Sequence, residues 1–157
     1  MPLVKGHNYH WMRIDWNSPE ELDDFIENPD DYHYTFYAFL VWSRGRWVLA
    51  YIGRAYEQSI HWRIIQHINE GLVRRIKRHC KSDTVYISIG YPYMERGGNV
   101  TRQRVVDAAK LLIYVHDPII NKMGRKWIHI NEHLRIQNEG SLRGIIKRRI
   151  AFGPVMG

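Results

Sequence analysis

The sequence has little of what disulfide-bonded or membrane-spanning proteins need. Cys80 is the only cysteine in 157 residues, which excludes an intramolecular disulfide and favours a reducing compartment. No run approaches the ~18 consecutive apolar residues of a membrane span, and the first residues lack the apolar stretch of a signal peptide. We therefore expect a cytoplasmic protein with no membrane partner.

Acidic residues are scarce beyond the N-terminal part of the chain. Seven of the 16 acidic residues lie between Glu20 and Asp31, and from Tyr32 onward 21 basic residues stand against 8 acidic ones. The formal charge is +7 and the pI is about 9.6. Such a balance favours a polyanionic partner, although a solvated basic surface gives the same composition.

The length, with 45% hydrophobic and 13% aromatic residues, indicates one globular domain spanning residues 1–157. Residues 1–17 show no clear period.

Ser18-Pro19-Glu20-Glu21 has the form of a capping box with proline at the first helical position. Leu22, Phe25 and Ile26 follow at helical spacing, which predicts a short amphipathic helix that packs on a sheet.

Two strands and a helix are predicted next. Residues 36–42 and 47–52 are rich in β-branched and aromatic side chains and flank the turn Ser43-Arg44-Gly45-Arg46, which indicates a hairpin. Residues 58–72 carry an apolar stripe of helical period. Arg63 and His67 are four residues apart, so they share one face of that helix. Taken singly, they also fit a surface charge and a core-edge histidine.

The remaining pattern predicts a third strand, a long helix and a less regular C-terminal part. Apolar residues alternate over 84–89, and we expect Tyr91-Pro92 to end that strand. Thr101 is a suitable N-cap for a helix reaching His116, which Asp117-Pro118 would close. Residues 127–130 and 134–136 are candidate short strands. Ser141 is a candidate cap for a last helix carrying Ile145, Ile146 and Ile150.

Four short pieces in this order resemble the GIY-YIG nuclease family. Thr35-Phe36-Tyr37 retains only the tyrosine of the first family triplet, whereas Tyr51-Ile52-Gly53 matches the second in full. Thirteen residues separate the two triplets, slightly more than is usual, so we expect a slightly longer hairpin. The pair Arg63…His67 matches the family's helix, and the block from Leu111 to Asn121 resembles its closing motif.

The resemblance implies an α/β (α+β) fold in which a small central three-stranded antiparallel sheet is flanked by helices. It covers roughly residues 34–121 as a nuclease core. Residues 1–33 would be an N-terminal extension, and residues 122–157 a C-terminal extension that contacts DNA. The host would be a prokaryotic or phage-infected cell.

The resemblance also implies roles for individual residues. Tyr37 would act as general base or orient the attacking water, with Tyr51 and His67 in its hydrogen-bond network. Because a free tyrosine has a pKa near ~10, the first role requires activation by neighbours. Arg63 would clamp the scissile phosphate, with Arg54 as a second candidate. Asn121 would hold the site together or contact the backbone.

The chain departs from the family at the metal ligand. The family holds one Mg²⁺ (or Mn²⁺) ion with a glutamate, and the matching position here is Ala109. Asp107 lies ~160° away around the helix and is expected to face solvent, so it does not replace that ligand. We interpret the chain as a form, engineered or natural, in which alanine impairs metal binding. A core alanine in a chain that never held a metal is the alternative.

Three functions remain open at this point. The first is a type II restriction endonuclease that cuts double-stranded DNA at a specific sequence, as a homodimer or by two successive nicks. The second is a structure-specific repair or recombination nuclease, and the third is a DNA-binding protein without catalysis.

Two basic clusters are candidate phosphate contacts, although a solvated surface also explains them. The first comprises Arg74, Arg75, Lys77 and Arg78, and the second comprises Lys147, Arg148 and Arg149.

Overall fold

The computed structural model describes residues 10–28, 34–95, 98–121 and 134–152, which form a mixed α+β fold. Along the chain lie β1 (His10–Trp16), β2 (Glu20–Glu21), α1 (Leu22–Glu27), β3 (Tyr34–Ser43), β4 (Arg46–Tyr56), α2 (Ile60–Asn69), α3 (Leu72–Cys80), β5 (Tyr86–Met94), α4 (Arg102–His116), β6 (Leu134–Gly140) and β7 (Arg149–Phe152). None of the helices in these ranges is long and apolar enough to cross a membrane.

The sheet is larger than the three strands expected. Its order is β4-β3-β5-β1-β6-β7, with β2 paired to β5. The predicted strands are β3, β4 and β5, which pair antiparallel at one side of this sheet. The prediction missed β1, whose residues Met12, Ile14 and Trp16 alternate as buried positions. Trp11, an apolar residue at one of the outward-facing positions, obscures that alternation in the sequence, and the parallel β1–β6 pairing joins distant segments.

The two faces of the sheet bury separate apolar clusters. On one face Phe36, Ala38, Leu40 and Ile52 pack with the inward side of α4; we call this the α4-side cluster. On the other face Tyr37, Phe39 and Ala50 pack with α1, α2 and α3; we call this the α2-side cluster. Because neighbouring residues of a strand point to opposite faces, Phe36 and Tyr37 belong to different clusters.

The hairpin and α4 agree with the predictions made from the sequence. The turn between β3 and β4 places Arg44 and Gly45 at φ 53° and 77°, the left-handed pair that tight hairpins use. Thr101 accepts a hydrogen bond from the Arg104 amide at the start of α4. Asp117, at φ 43°, ends that helix before Pro118.

One predicted helical start was wrong, and one predicted helix is shorter than expected. Ser18 caps no helix, because Glu20 and Glu21 pair with Ile87 and Tyr86 of β5 and α1 begins only at Leu22. The helix predicted over 58–72 is confirmed as α2, which spans Ile60–Asn69. Gly71, at φ 83°, separates α2 from α3, so the basic cluster 74–78 lies on a helix of its own.

Two further predictions fail in the second half of the chain. β5 continues through Pro92 to Met94, because beyond Gly90 this strand pairs only with β1 and a residue without an N–H group is tolerated there. No helix follows Ser141: the chain turns, with Gly144 at φ 84°, and residues 149–152 pair with β6. The candidate strand over 127–130 lies outside the described residues, whereas the one over 134–136 is the start of β6.

Candidate functional site

A β-bulge in the hairpin turns two tyrosines to the same face of the sheet. Phe39 lies opposite Tyr51, but the next residue, Leu40, lies opposite Leu49, so Ala50 is an extra residue in β4. One extra residue reverses the side to which the following residues point. Tyr51 therefore joins Tyr37 on the α2-side cluster, with ring centroids 6.2 Å apart and ring planes at 26°. The bulge also accommodates the longer spacing between the two sequence triplets.

Gly53 allows the Tyr37 ring to lie against the backbone of β4. The two residues are directly opposite each other in the hairpin. A Cβ atom at position 53 would overlap Cζ, Cε2 and the hydroxyl oxygen of Tyr37. Glycine is required here by this close approach, because its φ is not in the left-handed region.

His67 meets the hydroxyl of Tyr37 inside the molecule. The first turn of α2 is capped by Ser59, whose Oγ accepts a hydrogen bond from the Trp62 amide. Two turns later His67 Nε2 lies 2.5 Å from Tyr37 Oη. Tyr37 has no exposed surface and His67 is 4% exposed. The imidazole also packs edge-on against Tyr51, with centroids 5.3 Å apart.

Burial keeps both members of this pair neutral, and the nearby cations also oppose the protonation of His67. Burial raises the pKa of Tyr37, Tyr51 raises it further, and Arg63 and Arg54 oppose the rise. Burial lowers the pKa of His67 to about 4, and Arg63 and Arg75 lower it further. At neutral pH the tyrosine hydroxyl therefore donates its hydrogen bond to an unprotonated Nε2, which leaves the ring proton on Nδ1.

Three arginines surround the tyrosines. Burial raises the pKa of Tyr51, whereas Arg63, Arg54 and Arg75 act to lower it. Arg63 is half-buried, and its Nη1 lies 3.3 Å from Gln66 Oε1. Arg75 was predicted only as part of a separate basic cluster. The structure brings it to the site because the turn at Gly71 folds α3 back beside α2.

Asn121 holds the edge strand beside Tyr51. Its Oδ1 accepts a hydrogen bond from the Ile52 amide, and its Nδ2 donates one to the Ile52 carbonyl, both at 2.9 Å. The neighbouring Ile120 amide donates to the carbonyl of Ala50, the bulged residue. β4 is the edge of the sheet at this side, so these contacts satisfy backbone groups that no further strand pairs. Asn121 is therefore a positioning residue.

Ala109 is not beside the tyrosine pair. It is 1% exposed and belongs to the α4-side cluster, together with Ile52, on the sheet face opposite Tyr37. Asp107 was expected to face solvent, but it has no exposed surface and accepts a hydrogen bond from Gln103 Nε2 at 2.9 Å. The expectation was wrong, since Asp107 is as fully buried as Val105 and Ala108 on the same helix.

The residues present do not fit a Mg²⁺ ion. Position 109 offers a methyl group, and Mg²⁺ is held by carboxylate and other oxygen ligands. In the described ranges no group of three or more His, Cys, Asp and Glu side chains is placed to hold a metal. Glu70 acts on Tyr51 only as one of the weaker charges near it.

The two basic clusters lie on different elements. Arg74, Arg75, Lys77 and Arg78 are exposed on α3, whose opposite side buries Leu72, Val73 and Ile76. The second cluster lies at the start of β7 rather than on a helix. There the Lys147 amide donates to His116 Nε2 at 2.9 Å, and Arg148 pairs with Glu139 at 3.3 Å.

The resemblance of this chain to the GIY-YIG nucleases is confined to short motifs. Searches of family models, curated proteins and solved structures with this chain return no match.

Proposed function

We propose that this chain binds the phosphate backbone of DNA at a GIY-YIG-type nuclease site and, with alanine at position 109, does so without metal-dependent cleavage. The observation that carries the proposal is the buried Tyr37–His67 hydrogen bond with Arg63 acting on both of its members. A tyrosine, a neutral histidine and an arginine that meet in this way match the residues on which the family resemblance rests.

The arginines supply the affinity for a phosphodiester. A guanidinium group presents paired N–H donors that match two phosphate oxygens, and it stays charged at every physiological pH. Arg54 and Arg75 are exposed and Arg63 is half-buried. A phosphate near Tyr51 would therefore meet positive charge from β4, α2 and α3 together. The basic face of α3 extends this charge away from the site.

The chemistry of Tyr37 favours orientation over proton abstraction. Burial raises the pKa of this phenol, so at neutral pH it is a hydrogen-bond donor rather than a base. Its proton is committed to His67, and its oxygen is left to accept a hydrogen bond from Arg63. Of the two roles that the resemblance implies, the water-orienting role agrees with these charges.

The proposal is tested by measuring duplex DNA affinity in a chelator at a fixed salt concentration. Arg63→Ala and Arg75→Ala should each weaken binding about tenfold, since a hydrogen bond to a charged group contributes ~1.5–3 kcal/mol. Arg46→Ala is the matched control, because this exposed arginine lies at the opposite end of β4. Unchanged affinity in both site variants would contradict the proposal.

A metal-dependent endonuclease is the second candidate, and the Tyr37–His67–Arg63 arrangement is what favours it. We expect the protein as it stands to bind DNA and leave it uncut in Mg²⁺. Because Ala109 is buried on the sheet face opposite Tyr37, we expect Ala109→Glu to leave DNA uncut as well. If that variant cuts, the alanine replaces a lost ligand, and a digest of mixed plasmid DNA will separate discrete restriction fragments from structure-dependent nicks. A variant that folds and binds DNA without cutting favours a DNA-binding protein that has no nuclease activity.

A further inference from the structure

An exposed tryptophan lies beside the arginine that the proposed function assigns to phosphate. Trp62 is 58% exposed, the largest exposure of any large apolar side chain in the described ranges. Single exposed apolar residues are ordinary, so exposure alone assigns no role. The position of Trp62 relative to Arg63 and Gln66 is what distinguishes it.

The side chains of α2 form a row that leads from the core to solvent. At ~100° per residue, Arg63 lies ~40° from His67 around the helix, Gln66 ~60° further and Trp62 another ~40°. Within this row Gln66 is bonded to Arg63, because its Oε1 accepts from Arg63 Nη1 at 3.3 Å, and it also accepts from Gln58 Nε2, before α2, at 3.0 Å. Trp62 and Gln66 are neighbours at i and i+4, ~5–6 Å apart at Cβ.

Two of the other exposed aromatic side chains, Trp42 and Tyr93, differ from Trp62 in their contacts, and the third, Tyr114, lies on α4, on the other face of the sheet. Trp42 is 51% exposed, but its ring meets Trp47 edge-on at 5.0 Å, at the turn end of the hairpin. Tyr93 lies under the guanidinium of Arg13 at 4.8 Å. The indole of Trp62 is in ring contact with no residue that the structure describes.

The surroundings of Trp62 favour a nucleic acid base as its partner. The row passes from Arg63 through Gln66 to Trp62, and Arg63 acts on Tyr51 together with the exposed cations Arg54 and Arg75. Proteins bind single-stranded nucleic acid with flat aromatic rings next to cations. The cations contact the phosphates of the nucleic acid, and a base stacks on the ring. Inside an intact duplex each base face is already covered by its neighbours, so only an unpaired base can stack on Trp62.

We propose that Trp62 stacks on an unpaired base next to the phosphate held by Arg63, which makes the preferred ligand DNA that is single-stranded or distorted at that phosphate. The inference rests on the proposed function and adds to it the class of DNA. It favours the structure-specific hypothesis over recognition of an intact restriction site.

The test compares two labelled DNA molecules, an intact duplex and the same duplex with a few unpaired nucleotides at its centre. Fluorescence anisotropy gives both dissociation constants at one salt concentration, because DNA affinity depends on salt. The unaltered protein should prefer the molecule with unpaired nucleotides. Trp62→Ala should weaken that complex about tenfold, as expected for one lost stacking contact, and leave duplex affinity within about twofold.

Two further variants complete the experiment. Trp62→Phe should keep most of the preference, because phenylalanine retains an aromatic face. Trp42→Ala, a change at a similarly exposed tryptophan, should alter neither affinity. Equal losses on both DNA molecules, no loss on either, or a change of oligomeric state in Trp62→Ala would overturn the assignment. Arg63→Ala separates the two proposals: if it leaves both affinities unchanged, the phosphate site itself is wrong, whatever Trp62 does.

Discussion

At the scale of single residues, the centre of the candidate site is the hydrogen bond between two uncharged side chains, Tyr37 and His67, with arginines nearby. His67 is nearly inaccessible, and arginines from α2 and α3 disfavour its protonation. A protonated imidazole would lose its ability to accept from Tyr37 and would be held beside Arg63 in a poorly solvated place. Folding therefore favours the neutral form of His67.

The first prediction is a loss of stability in mild acid that depends on His67. The pKa of His67 is lowered in the folded protein to about 4, from 6.5. The unfolded chain thus binds more protons between these values. The contribution of neutral His67 to the free energy of unfolding is fully present above about pH 6.5 and is lost as the pH falls toward about 4. This loss amounts to at most ~3 kcal/mol.

Chemical denaturation at several pH values measures this contribution. His67→Gln keeps an acceptor for Tyr37 but cannot titrate, so its free energy of unfolding should fall less steeply with acidity. Burial also lowers the pKa of His116, and the resulting pH dependence of stability is the same in the unaltered protein and in His67→Gln. The same pH dependence in both proteins would show that His67 is not held neutral.

The second prediction concerns the close approach at Gly53. Gly53→Ala places a methyl group where the buried Tyr37 ring lies, so the ring must move and its hydrogen bond to His67 must break or bend. We expect a loss of ~1–3 kcal/mol in unfolding free energy and weaker DNA binding. Gly98→Ala is the control, since a Cβ atom there meets its neighbours at ordinary distances of 3.4 Å or more. Unchanged stability and binding in Gly53→Ala would refute the packing argument.

At the scale of secondary structure elements, the bulged edge strand β4 connects the site to the rest of the chain. The extra residue Ala50 sets the direction of Tyr51, and residues 120–121 cover the strand at that point. Asn121 thus acts as a one-residue continuation of the sheet. In the block from Leu111 to Asn121, which resembles the closing motif of that family, the asparagine pairs with Ile52 of the Tyr51-Ile52-Gly53 triplet.

The third prediction follows from this pairing. Asn121→Ala leaves the Ile52 amide and carbonyl without their partner at a buried position, and each such group costs ~1–3 kcal/mol. Asn121→Asp keeps the acceptor for the amide but turns an oxygen toward the Ile52 carbonyl, so it should recover only part of the loss. Thermal unfolding ranks the variants, with Asn69→Ala, an exposed position on α2, as the control. Equal stability of the Ala and Asp variants would mean that only the bond to the carbonyl matters.

The sequence predicts local elements better than it predicts the sheet. The hairpin, α4 and its Thr101 cap depend on turn chemistry and short-range periods, and they were confirmed. β1 was missed and the sheet was taken as three-stranded, because its full extent depends on pairing between segments more than a hundred residues apart, such as Ile14 with Asn138. The predicted helix after Ser141 failed for the same reason: pairing with β6 determines the conformation of residues 149–152.

The candidate site was predictable only in part. Tyr37, Tyr51, His67 and Arg63 meet because a hairpin and the following helix are close in sequence. The positions of Arg75 and Trp62 relative to them depend on the turn at Gly71 and on which side of α2 is buried. Spacing alone also placed Ala109 toward the sheet, but it did not reveal that this is the face opposite Tyr37.

At the scale of the whole molecule, α4 links the two outer strands of the sheet. Its last residue, His116, accepts a hydrogen bond from Lys147 at the start of β7, and Ile120 donates to Ala50 of β4. His116 and Ile120 are only four positions apart along the chain, which limits the distance between their Cα atoms to at most ~14 Å. The end of α4 therefore connects the second basic cluster with the edge strand that carries Tyr51, although β4 and β7 are at opposite ends of the strand order.

This arrangement gives the last prediction, on the salt dependence of DNA binding. If Lys147, Arg148 and Arg149 contact phosphates next to the site, replacing all three with alanine lowers the slope of log affinity against log salt by up to about three units, close to one for each contact. Their side chains are exposed, so the triple variant should fold normally. Lys110→Ala, an exposed cation on the outer side of α4, should leave the slope unchanged. A triple variant with an unaltered slope would place this cluster away from DNA and leave α3 as the path of the backbone beyond the site.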